Sequence, residues 1–479
     1  MNVLVDPPYE GWGAILRENL LAAARCHSLM GVDRARDFRQ ELVETALRYS
    51  KLLASSAAEV GISLRLGEFT PELARAPIVM AGHQPIIYHP GILYKIDRLS
   101  ALADSQGALG INLVVDLDEG DGGALSWPCV QGSDVVIKRS SISVGGAMFC
   151  DQRVADKKTV ASVFEALKGD LIRSGRDDIV IVVESVSDMY IRLAGMPIAL
   201  ANAIVRMRLY RSCYLEAPLS SLIRSPVFKR ELIRLVENPQ RFVSVYNHTL
   251  SAFRAERKIK NPANPFPNMR TRDGVLELPL WELRDGERKP VLVESDSKAE
   301  DLDGKLLAPR GSLVTLLSRA LASDLFIHGV GGGKYEPFID AFAAALLGIP
   351  LPRFVVASAT RHLFPESVER FSEARRLKSR YKEIVSHTET FFGSGILSVE
   401  DEVALSAFVQ RRRELLESMS RVRSPSERSQ VAYALNEINR EVKARIDVSA
   451  LAPVLAVGAM DDSAFGRWAY REFPFFFFQ

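Results

Sequence analysis

The spacing of apolar and polar positions changes several times along this chain, and each change marks an element. Between residues 13 and 60, Leu16, Leu20 and Leu21, then Leu42, Ala46, Tyr49, Leu52 and Leu53, recur at helical spacing on either side of a charged stretch around Asp33 to Arg39. The run Ile78-Val79-Met80-Ala81, closed by Gly82, predicts a short buried strand. Ile92, Ile96, Leu99 and Ala103 follow the 3.6-residue period and predict a helix. Ile111-Asn112-Leu113-Val114-Val115-Asp116 reads as a second buried strand. Strand, helix and strand at this spacing form a βαβ unit, whose crossover is expected to be right-handed.

Beyond Val135-Val136-Ile137-Lys138 a helical pattern runs from about Lys157 to Ser174. The apolar run Ile179 to Glu184 predicts another strand, and residues 190 to 255 read as predominantly helical. The basic residues Arg254, Arg257, Lys258 and Lys260 lead into Asn261 to Asn268, where three prolines forbid regular structure. That segment is either a connection between lobes or an ordered loop. Residues 275 to 296 predict short antiparallel strands around the tight turn Asp285-Gly286. A helix near 311 to 322, the strand Leu325 to His328, the glycine-rich turn Gly329 to Tyr335, a helix through Phe338, Phe342, Ala345 and Leu346, and the strand Phe354 to Ala357 make a second βαβ unit.

From Pro365 the chain is rich in Glu, Arg, Lys, Leu and Ala, a composition of long helices or a coiled coil. Ser424-Pro425-Ser426-Glu427 is a capped helix start. Four consecutive phenylalanines, Phe475 to Phe478, are expected to pack against the body or a partner subunit. The pattern as a whole predicts an α/β fold: a Rossmann-like parallel sheet with an inserted mixed segment and a C-terminal long-helix (coiled-coil) arm. Residues 1–150 hold the N-terminal helices and first half of the core. Residues 151–300 hold a core strand and the insert, 301–364 the second half of the core, 365–450 the helical arm, and 451–479 a tail.

Composition narrows the function classes. Lys and Arg number 61 against 59 Asp and Glu, and this near balance offers no footprint for nucleic acid or an anionic membrane. No stretch has eighteen uncharged apolar residues, and the first residues lack a basic segment followed by an apolar run, so a cytoplasmic protein is expected. Cys26, Cys129, Cys150 and Cys213 form no C-x-x-C pair and are expected to be reduced thiols. No metal-ligand spacing stands out.

Three polar stretches follow predicted strands, where α/β sheets place their ligands. In the first, His83, Gln84, Tyr88 and His89 lie between Gly82 and Gly91, with Lys95 one turn into the helix. Histidine donates hydrogen bonds to phosphate near neutral pH, so His83 and His89 are candidates for polarising a nucleotide triphosphate. The alternative is a turn shaped by prolines and glycines, with the histidines capping backbone groups. In the second, Asp116, Asp118, Glu119 and Asp121 are candidates for holding Mg²⁺ or a substrate amine, or form a solvated turn. In the third, His328 precedes Gly331, Gly332 and Gly333, whose amides can approach phosphate, and Lys334 and Tyr335. Tyr335 occupies the position where a Walker loop carries Ser or Thr, so that motif is excluded.

In this order the landmarks resemble the bacillithiol synthase family of cysteine-adding ligases. Gly82-His83-Gln84 through Lys95 looks like the family's Gly-Gln-Gln loop, Asp116-Leu117-Asp118-Glu119 like its acidic loop, and Leu307-Ala308-Pro309-Arg310 through Gly331-Gly332-Gly333-Lys334-Tyr335 like its late glycine-rich segment. The resemblance implies a core related to nucleotidylyltransferases and class I aminoacyl-tRNA synthetases, an inserted connecting domain, and a coiled coil used in homodimerisation. It also implies joining an amino acid to an amino sugar conjugate. His83 replaces a family glutamine, and Lys334 and Tyr335 replace an acidic turn.

The expected function is therefore a ligase or transferase forming an amide on a small amine-containing substrate, using ATP or another nucleotide with Mg²⁺. His83, His89, Lys334 and Asp118 would do the chemistry. Gln84, Tyr88, Lys95, Asp116, Glu119, Asp121, His328 and Tyr335 would hold the substrate, and Gly82, Gly91, Gly331, Gly332 and Gly333 the nucleotide. Alternatives are a nucleotidylyltransferase acting on a small phosphorylated substrate and a non-catalytic nucleotide-binding scaffold.

Overall fold

The computed structural model describes every residue except 1, 65, 68, 133, 211–212, 262, 296, 298, 394–398, 422–423 and 446–461. Its centre is a six-stranded sheet of β1 (Asn2–Asp6), β2 (Ile78–His83), β3 (Leu109–Val114), β4 (Leu215–Pro218), β5 (Leu325–His328) and β6 (Phe354–Thr360), in the order β1-β6-β5-β2-β3-β4. All neighbours are parallel except β1 and β6. This is a Rossmann-like core. The apolar runs become strands because both faces of the sheet are covered: Ile78, Val79, Met80 and Ala81 are all fully buried.

The chain winds from β2 through β3 to β4 on one side, then returns to β5 and β6 on the other. The strand order therefore reverses between β2 and β5, which opens a crevice at their carboxyl ends. Helices α1 (Trp12–Met30) and α2 (Val32–Glu59) precede β2, and the charged stretch Asp33 to Arg39 lies inside α2. Helix α3 (Pro90–Gln106) connects β2 to β3 as the periodicity predicts.

Between β3 and β4 the chain makes two hairpins, Ala124–Gln131 with Asp134–Ser141 and Ser143–Gly145 with Gln152–Val154. The helix Lys157–Arg173 follows. The strand expected at Ile179 to Glu184 is instead the start of a helix, Val180–Arg192. Its buried residues Val183, Val186 and Tyr190 recur at helical spacing, and Tyr190 stacks on Phe164 at 6.0 Å. Ile181, in the middle of the run, is 78% exposed. A five-residue apolar run fits either template, and packing on the preceding helix decided it.

The predominantly helical region 190 to 255 conceals β4. Leu215-Glu216-Ala217-Pro218 has no strand signature, because a buried acid and a proline interrupt it. Glu216 is tolerated there because the guanidinium of Arg206 pairs with it and Asn112 Nδ2 donates to it at 2.8 Å. Further on, Val275–Arg284 and Glu287–Glu294 form the expected hairpin, with Asp285 and Gly286 both at positive φ. The proline-rich stretch is an ordered loop: Arg254 donates to the carbonyls of Asn264 and Phe266, although Pro262 lies outside the described residues.

Helix α4 (Val330–Leu347) begins directly after β5, with Gly329 as its cap. The expected glycine turn is thus the first turns of a helix. Close packing in that helix explains the glycine at 333: a Cβ there would lie 2.4 Å from Val356 on β6.

The chain forms two compact units, Met1–Leu363 with Arg471–Gln479, and Phe364–Tyr470. The second unit holds the helices Pro365–Ser386, Val399–Arg421 and Pro425–Arg445 around a small core of Leu405, Ile438 and Val442. Ser424 caps the last of these, its hydroxyl accepting from the Glu427 amide at 3.1 Å. The tail segment Arg471–Gln479 packs on the first unit, with Phe473, Phe475, Phe476 and Phe477 buried and the Phe475 amide donating to the Tyr88 carbonyl at 2.8 Å. Among the described residues no helix is long and apolar enough to cross a membrane.

Candidate active site

At the crevice between β2 and β5 lies a cavity of about 340 Å³. The chain leaves β2 at His83 and turns into α3 through His89 and Pro90. His89 is the N-cap of α3, its Nδ1 accepting the Gly91 amide at 3.0 Å, and Pro90 opens the helix where its missing N–H matters least. Gly91 allows α3 to touch β6, since a Cβ there would lie 2.8 Å from the Ala359 carbonyl oxygen.

Lys95 stands one turn further along α3 and is 4% exposed. Its Nζ reaches back to donate to the Gly82 carbonyl at 2.7 Å. Burial lowers its pKa from 10.5 to about 8, and no carboxylate offsets that burial. The sheet thus ends, at its switch point, in a poorly solvated amine.

The two histidines of this loop carry opposite tautomers. A carbonyl oxygen only accepts, so the 3.1 Å contact between His83 Nδ1 and the Gln84 carbonyl places the proton on Nδ1 and leaves the Nε2 lone pair free. His89 Nδ1 accepts a hydrogen bond, so its neutral ring carries the proton on Nε2 and donates from there. Burial, with Lys95 next, pulls the His83 pKa down to about 3. His89 is also lowered, chiefly by burial. His83 is therefore an acceptor, and the expected donor role falls to His89 alone.

His328 ends β5, stacked on Phe326 at 4.5 Å and held well below the usual histidine range by burial. Its Nε2 lies 3.3 Å from Glu336 Oε1, off the line of a hydrogen bond, and Glu336 in turn accepts from Arg319 at 2.6 Å. Gly329, Val330, Gly331 and Gly332 continue the wall. These residues open α4, which has no side-chain cap, so its first amides lack intrahelical partners. Ser358 and Ala359 of β6 and Arg471 of the tail segment complete the lining. None of the lining residues is acidic, and Lys95 and Arg471 are cationic, so the cavity suits an anion.

Two of the three expected stretches therefore converge, and the acidic one does not. Asp116 is 4% exposed and its carboxylate accepts the Ser220 amide at 2.9 Å and the Ser220 hydroxyl at 2.5 Å. Burial raises its pKa to about 6. Asp118 and Glu119 pair with Arg288 at 3.3 and 3.2 Å, and Asp121 accepts from the Ser141 and Ser143 hydroxyls, both at 2.7 Å. Asp116 thus ties the end of β3 to the turn after β4, while Asp118, Glu119 and Asp121 tie the following loop to neighbouring hairpins. Only Asp118 reaches towards the cavity, through the Gln84 side chain, whose Nε2 donates to it at 3.0 Å. Among the described residues no three His, Cys, Asp or Glu side chains gather to hold a metal ion.

The other expected residues are dispersed. Lys334 is exposed on α4 and does not line the cavity. Tyr335 packs on Phe266 at 5.7 Å, and Gly333 faces Val356. Tyr88 is buried behind the loop, with its ring under the Arg206 guanidinium at 4.4 Å and its hydroxyl accepting from Asn112 at 3.3 Å. Gly82, Gly91, Gly331, Gly332, Gln84, Lys95 and His328 do line the cavity. Arg471 was not foreseen, and it carries no local signal: it enters from the far end of the chain.

No family model matches the chain, and no curated protein matches it.

Proposed function

We propose that this protein is a ligase or transferase that grips a phosphate or activated carboxyl group between β2 and β5 and passes the attached acyl group to a small amine. One observation carries the reading: Lys95, Arg471, the His89 Nε2–H and the first amides of α4 border a single cavity with no acidic side chain. Such donors oppose charge that develops on phosphoryl or acyl oxygens. His83, kept neutral by burial, offers its Nε2 lone pair as a hydrogen-bond acceptor to the incoming amine. No side chain needs to carry the acyl group, because the substrate amine is itself the nucleophile. Nucleotide and Mg²⁺, where required, enter with the substrate.

The test is incubation of the full chain with a nucleoside triphosphate, Mg²⁺, amino acids and amino sugars. Phosphate or diphosphate release is followed together with amide product by mass spectrometry. Release that depends on both amine and amino acid is expected. Product carrying the nucleotide itself would overturn amide formation in favour of nucleotidyl transfer. Absence of both release and a melting shift with phosphate would overturn the site.

A further inference from the structure

The reading of the site as an acyl-activating centre leaves open how a carboxylate becomes activated, and His83 supplies a route that rests on that reading. Its ring is fixed on two sides. Nδ1–H is held by the Gln84 carbonyl at 3.1 Å, and the ring meets Tyr88 edge-on at 5.6 Å. The remaining nitrogen, Nε2, has a lone pair, and no protein hydrogen bond to it is seen among the described residues. His83 lines the same cavity as Lys95, Arg471, His89 and the first residues of α4. Other lining nucleophiles are less ready. Lys95 is engaged with the Gly82 carbonyl, a phosphate ester on Ser358 would be too stable to pass its phosphoryl group to a carboxylate, and His328 is turned towards Glu336. No cysteine lines the cavity.

We propose that His83 Nε2 is a phosphoryl carrier: it takes a phosphoryl group from a phosphoanhydride, such as a nucleoside triphosphate, and hands it to the carboxylate of the acyl substrate. In the first step the Nε2 lone pair forms an N–P bond while the terminal P–O bond breaks, its electron pair leaving on the nucleoside diphosphate. The proton stays on Nδ1, donated in a hydrogen bond to the Gln84 carbonyl, so the phosphorylated ring is cationic and a good leaving group. In the second step a carboxylate oxygen attacks phosphorus, the N–P electron pair returns to Nε2, and an acyl phosphate forms. The amine then displaces phosphate, which departs with the amine's proton, and Nε2 is left free for the next turnover. No oxidant or reductant is needed. His89 Nε2–H, Lys95 and Arg471 act on the phosphoryl oxygens, so opposite tautomers in one loop divide the work between nucleophile and donor.

The experiment treats the full chain with phosphoramidate, and separately with a nucleoside triphosphate labelled in its terminal phosphate. Bound phosphate is tested for acid lability and alkali stability, and its position is mapped by mass spectrometry at alkaline pH. One acid-labile phosphate on His83 is expected, formed roughly a hundredfold faster than on His248 or His387. It should disappear on adding mixed amino acids as carboxylate acceptors and be absent in His83→Gln. Mapping on the unmutated protein keeps the test decisive if that variant misfolds. Acid-stable label, label on another residue, or no label overturns the proposal. A melting shift with inorganic phosphate but no label leaves the anion site standing while the carrier falls. Label on His83 without amide formation supports the carrier and removes the ligase reading.

Discussion

Replacing Lys95 by methionine should make the folded chain more stable and its site worse. Methionine keeps most of the buried stem and removes the charge. Each pKa unit is worth about 1.4 kcal/mol, so a fall from 10.5 to about 8 means that the fold disfavours the charged amine by roughly 3 kcal/mol. Below pH 8 the amine is charged in both folded and unfolded chains, and this penalty stands in full. It fades as pH rises from about 8 towards 10.5, where the unfolded chain also loses its proton. Against the gain stands the lost hydrogen bond to the Gly82 carbonyl, worth about 1 kcal/mol net. Urea unfolding at pH 7 should show Lys95→Met more stable by about 2 kcal/mol, with the difference shrinking towards pH 10. Phosphate at a hundredfold excess over its dissociation constant should stabilise the unmutated protein by about 2.7 kcal/mol, and the variant by at least ~1.4 kcal/mol less. A variant less stable at pH 7, or equal stabilisation of both proteins by phosphate, would refute the reasoning.

Asp116→Asn should also stabilise at neutral pH. The carboxyl is raised from 3.8 to about 6, so its folded-state contribution is full below pH 4 and lost as pH rises through 6, a swing of roughly 3 kcal/mol at most. Asparagine can still accept the Ser220 amide and donate to its hydroxyl. Urea melts at pH 4 and pH 7 should therefore differ less in the variant. Two neighbouring glycines of α4 should respond oppositely to alanine. Gly333→Ala drives a Cβ to 2.4 Å from Val356 and should destabilise by about 1–3 kcal/mol. Gly331→Ala meets nothing within 4 Å and should gain up to about 1 kcal/mol from helix propensity, read by thermal melts.

Much of the core was legible because its signals are local. Strands β2, β3, β5 and β6, helices α1 to α3 and the Asp285-Gly286 hairpin follow from apolar runs, periodicity and turn residues. The segments that misled are those where a partner overruled local preference. Val180–Arg192 is a helix because its apolar face meets the helix before it, and β4 is a strand because Arg206 and Asn112 compensate Glu216. In the helix that takes up glycines 331 to 333, Gly333 lies too close to Val356 of β6, and Gly332 too close to the His328 ring, for a side chain. At the site, His83, His89 and Lys95 were visible as unusual residues after a strand. Their roles were not, because a tautomer depends on which backbone group faces each ring nitrogen.

The order of apolar and polar residues by itself determined that a parallel sheet would form and that polar loops would leave its strand ends. Periodicity and turn chemistry act over a few residues, and the hydrophobic effect sorts them without knowledge of distant partners. Only the tertiary structure decided which loops share a cavity. The strand order placed His83 beside His328 and turned the acidic cluster into a fastening for the insert. It brought Arg471 in from the end of the chain, and it buried Lys95 deeply enough to change its chemistry. Charge, pKa and tautomer are properties of an environment, and the environment exists only once the chain has folded.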